Sequence, residues 1–410
     1  MRCLPVPYER CMAGGGAEMQ AAKILSGSAR WRLRYDQILL GLVVVLSAAG
    51  FVMMGSASMD YASEQFANPF FHIYRHGFYL LLGSLVLGLT LFIPVRLWES
   101  AGPTLLIAGV VVLAMLLVPG IGRKVNGATR WIALGPFNLQ PSELMKLFFV
   151  VYLAGYMTRR SNELRGSWSG MLKPLGVLVL VMGLLLLEPD FGAAVVIAGA
   201  AMGMLFVGGA RLLYFLMMVG TGLVGVGALA VLSPYRWQRL VTFLDPWSDQ
   251  FASGYQLTQA LIAFGRGELF GVGLGNSVQK LFYLPEAHTD FVFAIIAEEL
   301  GLVGGVAFIA LFSALIARIL WIGRDAARRQ QNFSAYVCCG VALLIAAQVF
   351  INIGVNAGLL PTKGLTLPFL SYGGSSMLVL FAMMGLVLRI EYELRVAPGT
   401  ALAPWRQRHG

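Results

Sequence analysis

Long apolar stretches separated by short polar punctuation dominate the chain. Ten of them are long enough to cross a hydrocarbon layer as helices, which takes about 20 residues. They lie at roughly 37–56, 76–95, 102–119, 141–158, 169–188, 190–208, 211–232, 289–321, 334–357 and 374–394. Only Glu188-Pro189-Asp190 divides the fifth from the sixth. A proline with two acids interrupts a helix, so the pattern predicts a hairpin there and not one over-long span. The expected fold is an all-α polytopic membrane protein of about ten transmembrane helices over residues 36–395. Residues 1–35, with Gly14-Gly15-Gly16 and scattered charge, and 396–410, with two prolines and a basic end, read as flexible tails. No apolar core of signal-peptide length precedes the first span, so that span is expected to be retained.

Composition agrees with a lipid solvent. The chain is 58% apolar and 12% charged, against about 45–50% and 25% in soluble domains. Its net charge of +10 needs no nucleic-acid partner, because membrane proteins collect Lys and Arg on cytoplasmic loops. With the N-terminus inside, most of the 30 Lys and Arg residues fall on cytoplasmic segments, among them Arg30, Arg32, Arg34, Arg159, Arg160, Arg324, Arg328 and Arg329. Both termini are therefore expected in the cytoplasm. Cys3, Cys11, Cys338 and Cys339 match neither a disulfide framework nor metal-ligand spacing and read as free thiols.

This orientation leaves two notable loops outside. Residues 120–140 carry Arg123, Lys124 and Arg130 and no acid, which runs against the charge rule. Residues 233–288, between the seventh and eighth helices, form the longest connection, with Arg236, Arg239, Arg266 and Lys280 set against Asp245, Asp249, Glu268 and Glu286. Such length suits a functional or partner-contacting element. Its Gly265–Gly275 region is no nucleotide loop, since no strand precedes it and the glycine spacing is wrong.

Candidate chemistry gathers at the outer ends of the helices. Asp290 falls where the eighth span enters the membrane, and an ionisable group there is a functional candidate by default. The competing reading is that Thr289 or Asp290 caps the helix. The helix dipole would keep Asp290 ionised while burial would raise its pKa, and sequence leaves that balance open. Glu143 and Lys146, three apart on the fourth helix, can pair on one face. They are either a local ion pair or a pair whose lysine also attracts an anionic headgroup. Glu298 lies about 80° around and about 12 Å along the helix from Asp290, too far for shared acid–base work, so Glu298 and Glu299 are expected to hold neighbouring helices. His288 is a second candidate base or a turn-shaping residue. His72 and His76 are expected at the membrane interface. The segment Asn356–Ser376, which carries Lys363, is too rich in proline and glycine for a continuous helix, and reads as a cavity wall or as an ordinary connection.

Four motifs in order make the chain less generic. Asn126-Gly127-Ala128-Thr129-Arg130-Trp131 with Gln140-Pro141-Ser142-Glu143, then Pro285-Glu286-Ala287-His288-Thr289-Asp290-Phe291, then Leu360-Pro361-Thr362-Lys363-Gly364 and Ser371-Tyr372-Gly373-Gly374-Ser375-Ser376 resemble the SEDS family (shape, elongation, division and sporulation) of polytopic peptidoglycan polymerases. The resemblance spans about residues 36–395, and the run Gly275–His288 looks more like the division branch than the elongation branch. It implies a membrane enzyme that polymerises lipid II at the outer face of the bacterial inner membrane, at the division septum. Asp290 would take the proton of the acceptor sugar's 4-hydroxyl as that oxygen attacks the anomeric carbon of the donor, giving a β-1,4 linkage with inversion and releasing undecaprenyl pyrophosphate. Lys146, Glu143, Arg123, Lys124, Arg130 and Lys363 are the implied substrate-binding residues. A divalent cation, Mg2+ or Mn2+, would sit on the pyrophosphate with Asp290. The implied partners are a class B penicillin-binding protein, met through loop 233–288, and other divisome membrane proteins. Where some relatives carry a basic residue before the fourth helix, this chain has Asn138, which weakens a cationic role there. A lipid II flippase and a non-catalytic scaffold are the rival readings.

Overall fold

A computed structural model of the chain describes residues 35–120, 122–125, 128–135, 137–231, 237 and 241–396. The expected tails therefore lie almost wholly outside the described residues, as do Cys3, Cys11, Asn126, Gly127, Arg236 and Arg239. The described helices, in chain order, are α1 (Gln37–Phe66), α2 (Phe71–Phe92), α3 (Val95–Leu116), α4 (Pro141–Arg159), α5 (Ser161–Gly166), α6 (Trp168–Leu187), α7 (Phe191–Val207), α8 (Leu212–Val231), α9 (Tyr255–Gly267), α10 (Val292–Arg328), α11 (Asn332–Asn356) and α12 (Gly374–Val396). Each of the ten apolar stretches coincides with one of these. Among the described residues, six helices (α1, α2, α3, α6, α10 and α11) are long and apolar enough to cross a membrane. By contrast α4 carries Glu143, Lys146 and Arg159, and most of its side chains are buried. It packs against α3, α7, α11 and α12, so protein and not lipid is its solvent.

Local chemistry explains several boundaries. Asp36 caps α1 by accepting the Leu39 N–H at 2.9 Å, and its carboxylate also binds Arg318 near the far end of α10. Pro141 opens α4 in the first turn, where a missing N–H costs nothing. Asp190 caps α7, accepting from Ala193 N at 3.2 Å, so the Glu188-Pro189-Asp190 turn divides two helices as expected.

Three departures from the expected fold follow. The class is not purely helical: β1 (Gly122–Val125), β2 (Ala128–Leu134) and β3 (Phe137–Leu139) form an antiparallel sheet in the order β1-β2-β3. Thr129, Trp131 and Ile132 favour an extended chain, and Val125 pairs with Ala128 across a two-residue connection. The second departure is α9, an amphipathic helix inside the long 233–288 connection, which packs on α10. The third is that α10 begins at Val292 and breaks at Gly301 (φ 67, ψ −167). There Val272 N and Gly273 N donate to Glu298 O and Glu299 O, while Leu302 N and Val303 N donate to Glu268 O and Leu269 O. The loop after α9 thus satisfies the groups that the break releases, as irregular backbone at membrane depth requires. A β-carbon at residue 301 would lie 2.4 Å from Gly271 N, so this crossing also needs glycine for space.

Candidate functional site

Asp290 lies just before the first turn of α10, in a turn closed from below by Glu286. The Glu286 carbonyl accepts Thr289 N (3.1 Å) and Phe291 N (3.2 Å), and its carboxylate accepts the Thr289 hydroxyl at 2.6 Å. Glu286 itself has φ 58, a left-handed conformation that non-glycine residues hold only when their surroundings impose it. The capping reading does not hold. Phe291 is the N-cap and offers no side-chain cap. The Ala294 N–H is shared between Phe291 O, at 3.0 Å, and Asn356 Oδ1 from α11, at 3.1 Å. The Asp290 carbonyl accepts from Asn352 Nδ2 (2.9 Å) and Asn356 Nδ2 (3.0 Å). Among the described residues none donates a hydrogen bond to the Asp290 carboxylate, which is partly exposed.

The segment 357–373 closes over this turn. Tyr372 N donates to His288 O at 3.0 Å, Ser371 Oγ donates to Thr289 O, and Asn352 Nδ2 donates to Leu365 O at 2.6 Å. The bare α-carbon of Gly364 rests against the carboxylate: a β-carbon there would stand 2.8 Å from Asp290 Oδ2. This segment buries Leu365, Leu367, Phe369 and Leu370, so it is a packed wall and not a slack connection. Burial pushes the Asp290 carboxyl up to about 7, with the Glu286 carboxylate adding to the rise and Arg130 opposing it. A carboxylate poised near neutral pH is suited to general-base work.

Arg130, half-buried on β2, reaches the α6–α7 turn, where Nε donates to Glu188 O at 3.4 Å and a terminal nitrogen donates to Pro189 O. Glu188 is buried, its Oε1 has no hydrogen-bond partner among the described residues, and its carboxyl is pushed up to about 8 by burial first and by Asp190 second. Asp190 accepts from Ser142 Oγ (2.7 Å) and Gln140 Nε2 (3.1 Å). Lys363 lies over the Phe191 ring, 4.3 Å from its centroid. Three motifs distant in sequence therefore meet around Asp290: β2 with Arg130, the α6–α7 turn, and the Lys363-Gly364 wall.

The other candidates lie apart from this cluster. Lys146 is 1% exposed, with Nζ 2.7 Å from Glu143 Oε1 in an ion pair whose angle does not make a hydrogen bond. The local pairing is thus present, and in this state the ammonium is turned to its partner and not to solvent. Arg123 is exposed on β1, paired in register with Trp131, and Lys124 follows it on the same strand. His288 is buried, its ring centroid 5.0 Å from those of Tyr61 and His72, and burial lowers its pKa. It shapes an aromatic cluster. His72 and His76, expected at the interface, are buried as well, because α2 packs between α1 and α12. Glu298 and Glu299 hold neighbouring segments as expected: Glu298 accepts from Ser277 and from Val278 N, and Glu299 binds Ser56 on α1 and Lys280.

Sequence reasoning overlooked Glu188, read only as a turn residue, and Asn352 and Asn356. Two asparagines one turn apart in an apolar span were the available signal. The donor set does not fit a metal held by protein alone: among the described residues no group of three or more His, Cys, Asp and Glu side chains could hold an ion.

Comparison with known proteins places this geometry. The model of the family described as cell cycle protein matches residues 36–396. The chain is 55% identical over 360 residues to a probable peptidoglycan glycosyltransferase FtsW of Nitrosococcus halophilus, covering 88% of this chain and 93% of that one. To a relative of the same name from Pseudomonas fluorescens it is 54% identical, covering 89% and 90%. Among solved structures, a chain from a peptidoglycan synthase complex that coordinates polymerization and crosslinking superposes with a TM-score of 0.70 at 32% identity, covering 88% of this chain and 98% of that one. The rod shape determining protein RodA of Thermus thermophilus superposes with a TM-score of 0.65 at 33% identity, covering 88% and 97%. The match over almost the whole described region, together with the several apolar helices, makes this chain a multi-pass membrane protein of the SEDS family.

Proposed function

We propose that the protein is an inverting peptidoglycan glycosyltransferase that polymerises lipid II during septal wall synthesis, with Asp290 as general base. One observation carries the reading: the Asp290 backbone carbonyl is held by two amides of α11, while its carboxylate is left without a hydrogen-bond donor among the described residues and rests against a wall that includes Gly364. In the reaction the acceptor's 4-hydroxyl oxygen forms a bond to the donor's anomeric carbon as its proton passes to Asp290. The bond from that carbon to the pyrophosphate oxygen breaks on the opposite face, and undecaprenyl pyrophosphate leaves with the electron pair. Deprotonation in the transition state is what a base near neutral pKa can accelerate, typically by 10²–10⁴-fold. Arg130 and Lys363 flank Asp290 and are the cations best placed for the diphosphate. Arg123 and Lys124 stand further out on β1, and Lys146 joins them only when its pair with Glu143 opens. A divalent cation would arrive with the diphosphate and neutralise part of its charge.

The ten apolar stretches support ten spans, and the Lys and Arg distribution supports both termini in the cytoplasm with the Asp290 end facing outward. The family described as cell cycle protein supports the inner membrane at the septum as its place, and the solved synthase complex supports a class B penicillin-binding protein as its partner. The test supplies lipid II in detergent to the purified protein with its transpeptidase partner and resolves glycan strands on gels. The parent makes strands, Asp290→Asn makes none, and both melt at the same temperature. Absence of strands with the parent, together with lipid II movement across vesicles, would instead mark a flippase.

A further inference from the structure

Asn352 is 2% exposed and Asn356 fully buried, in a helix whose other buried side chains are apolar apart from Ser334 and Gln348. An amide in such a place costs several kcal/mol unless its donors and acceptor are met. Leucine or methionine would fill the same space without that liability, so the amides call for a reason. Their partners supply one. The two Nδ2 hydrogens of Asn352 go to two carbonyls, Asp290 O at 2.9 Å and Leu365 O at 2.6 Å. One amide therefore ties the turn that bears Asp290 to the wall that bears Gly364. Asn356 donates to Asp290 O at 3.0 Å and to Asn352 O at 2.8 Å, and its Oδ1 accepts the Ala294 N–H at 3.1 Å. Only this amide orientation matches donors to acceptors. A helix start needs an acceptor for its orphan N–H groups, and an aspartate beside it is a strong competitor for that task. Here Ala294 N is shared between Phe291 O, at 3.0 Å, and the Asn356 side chain from another helix.

We propose that Asn352 and Asn356 are positioning residues for the base: Asn356 caps α10 in place of Asp290, and Asn352 fixes the gap between the Asp290 carboxylate and the Gly364 wall, which leaves the carboxylate free for the acceptor proton. The inference rests on the general-base reading above. It deepens that reading by naming what holds the base, since neither residue touches the reacting atoms. A fully connected buried network of this kind sets geometry more narrowly than packing alone. The titratable and charged groups near Asp290 are Glu286 and His288 on its own turn, Arg130 from β2, and Lys363 beside Gly364 in the wall. None of them is altered by substitutions at 352 or 356.

The test measures maximal polymerisation rate against pH for the parent, Asn352→Ala, Asn352→Gln, Asn356→Asp and Asp290→Asn, each with the transpeptidase partner and a thermal melt. Asn352→Ala unties the wall and admits water to the carboxylate. Its rate falls at least tenfold, its KM for lipid II stays within about twofold, and its acid-side midpoint moves down. Asn352→Gln keeps the donors and recovers part of the rate. Asn356→Asp keeps the acceptor for Ala294 but sets a second negative charge beside Asp290, so its midpoint moves up. Opposite displacements cannot come from misfolding, which lowers the active fraction equally at every pH. Parental midpoints in both variants, or losses that track the melting temperature, overturn the proposal while Asp290→Asn is inactive. Polymerisation by Asp290→Asn would instead overturn the general-base reading beneath it.

Discussion

Gly364→Ala is the smallest change that presses on the base directly. The added β-carbon would sit 2.8 Å from Asp290 Oδ2 and 3.6 Å from Cγ. Non-bonded heavy atoms are comfortable at about 3.5 Å, so the carboxylate must retreat by roughly 0.6–0.7 Å. Folding should tolerate this. The obstructing atom ends a side chain, residue 364 lies outside the left-handed region, and overpacking of this kind costs about 1–3 kcal/mol. Catalysis should not, because a misplacement of about 1 Å can cost 10²-fold. The expected loss in kcat is roughly ten- to hundredfold, or about 1.4–2.7 kcal/mol in the barrier, with KM for lipid II little changed. The assay is the initial rate of strand synthesis at saturating lipid II with the partner present, beside a melt in detergent. Gly176→Ala and Gly183→Ala on α6, where a β-carbon meets nothing within 4 Å, serve as controls and should match the parent. A Gly364→Ala protein within threefold of parental rate would refute the packing argument, as would a loss no larger than the loss of folded protein.

Other perturbations follow from the same geometry. Arg130→Gln removes the positive charge that favours ionised Asp290, so the acid-side midpoint of the rate should rise above about 7, read from the same pH series. Lys146→Met strands the buried Glu143 carboxylate, a loss of about 3–5 kcal/mol for a broken buried pair. Adding Glu143→Gln should restore most of the melting temperature. Glu299→Leu leaves the Lys280 ammonium, now paired at 3.1 Å and 7% exposed, without its carboxylate. Chemical denaturation should show a loss of similar size, with the connection after α9 becoming sensitive to protease.

The apolar spans were legible because a lipid solvent forbids polar side chains on any face it touches, and each expected stretch has its helix. The helix α4 shows the rule from the other side, since Glu143 and Lys146 are admitted where protein surrounds them and Arg159 sits exposed at its last turn. Asp290 was legible for the same reason, as an acid at a helix mouth. What remained hidden depends on partners far along the chain. Asn352 and Asn356 meet the Asp290 turn across a separation of 62 or more residues, and nothing in a local pattern states such a pairing. The break at Gly301 is equally non-local, because its free carbonyls and N–H groups are met by residues 268–273. The sheet did leave a local sign: Asn126-Gly127, between Val125 and an Ala-Thr-Arg-Trp-Ile run, is the hairpin dipeptide, a signal masked by the basic charge and the family motif at the same residues. His72 and His76 carry interfacial character by composition, and their burial follows from the packing of α2 between α1 and α12.

Asp290 is the one acid on which the proposed chemistry turns, and its burial gives the most direct measurement. A base raised to about 7 is ionised above that pH and protonated below it. The maximal rate of strand synthesis should therefore be level above neutrality and fall about tenfold per unit below it. Asp290→Asn should give no strands at any pH, and Asp290→Glu a reduced rate with a displaced midpoint. Strand synthesis by folded Asp290→Asn at a rate near the parent's, or a parental rate flat down to pH 5, would contradict the account.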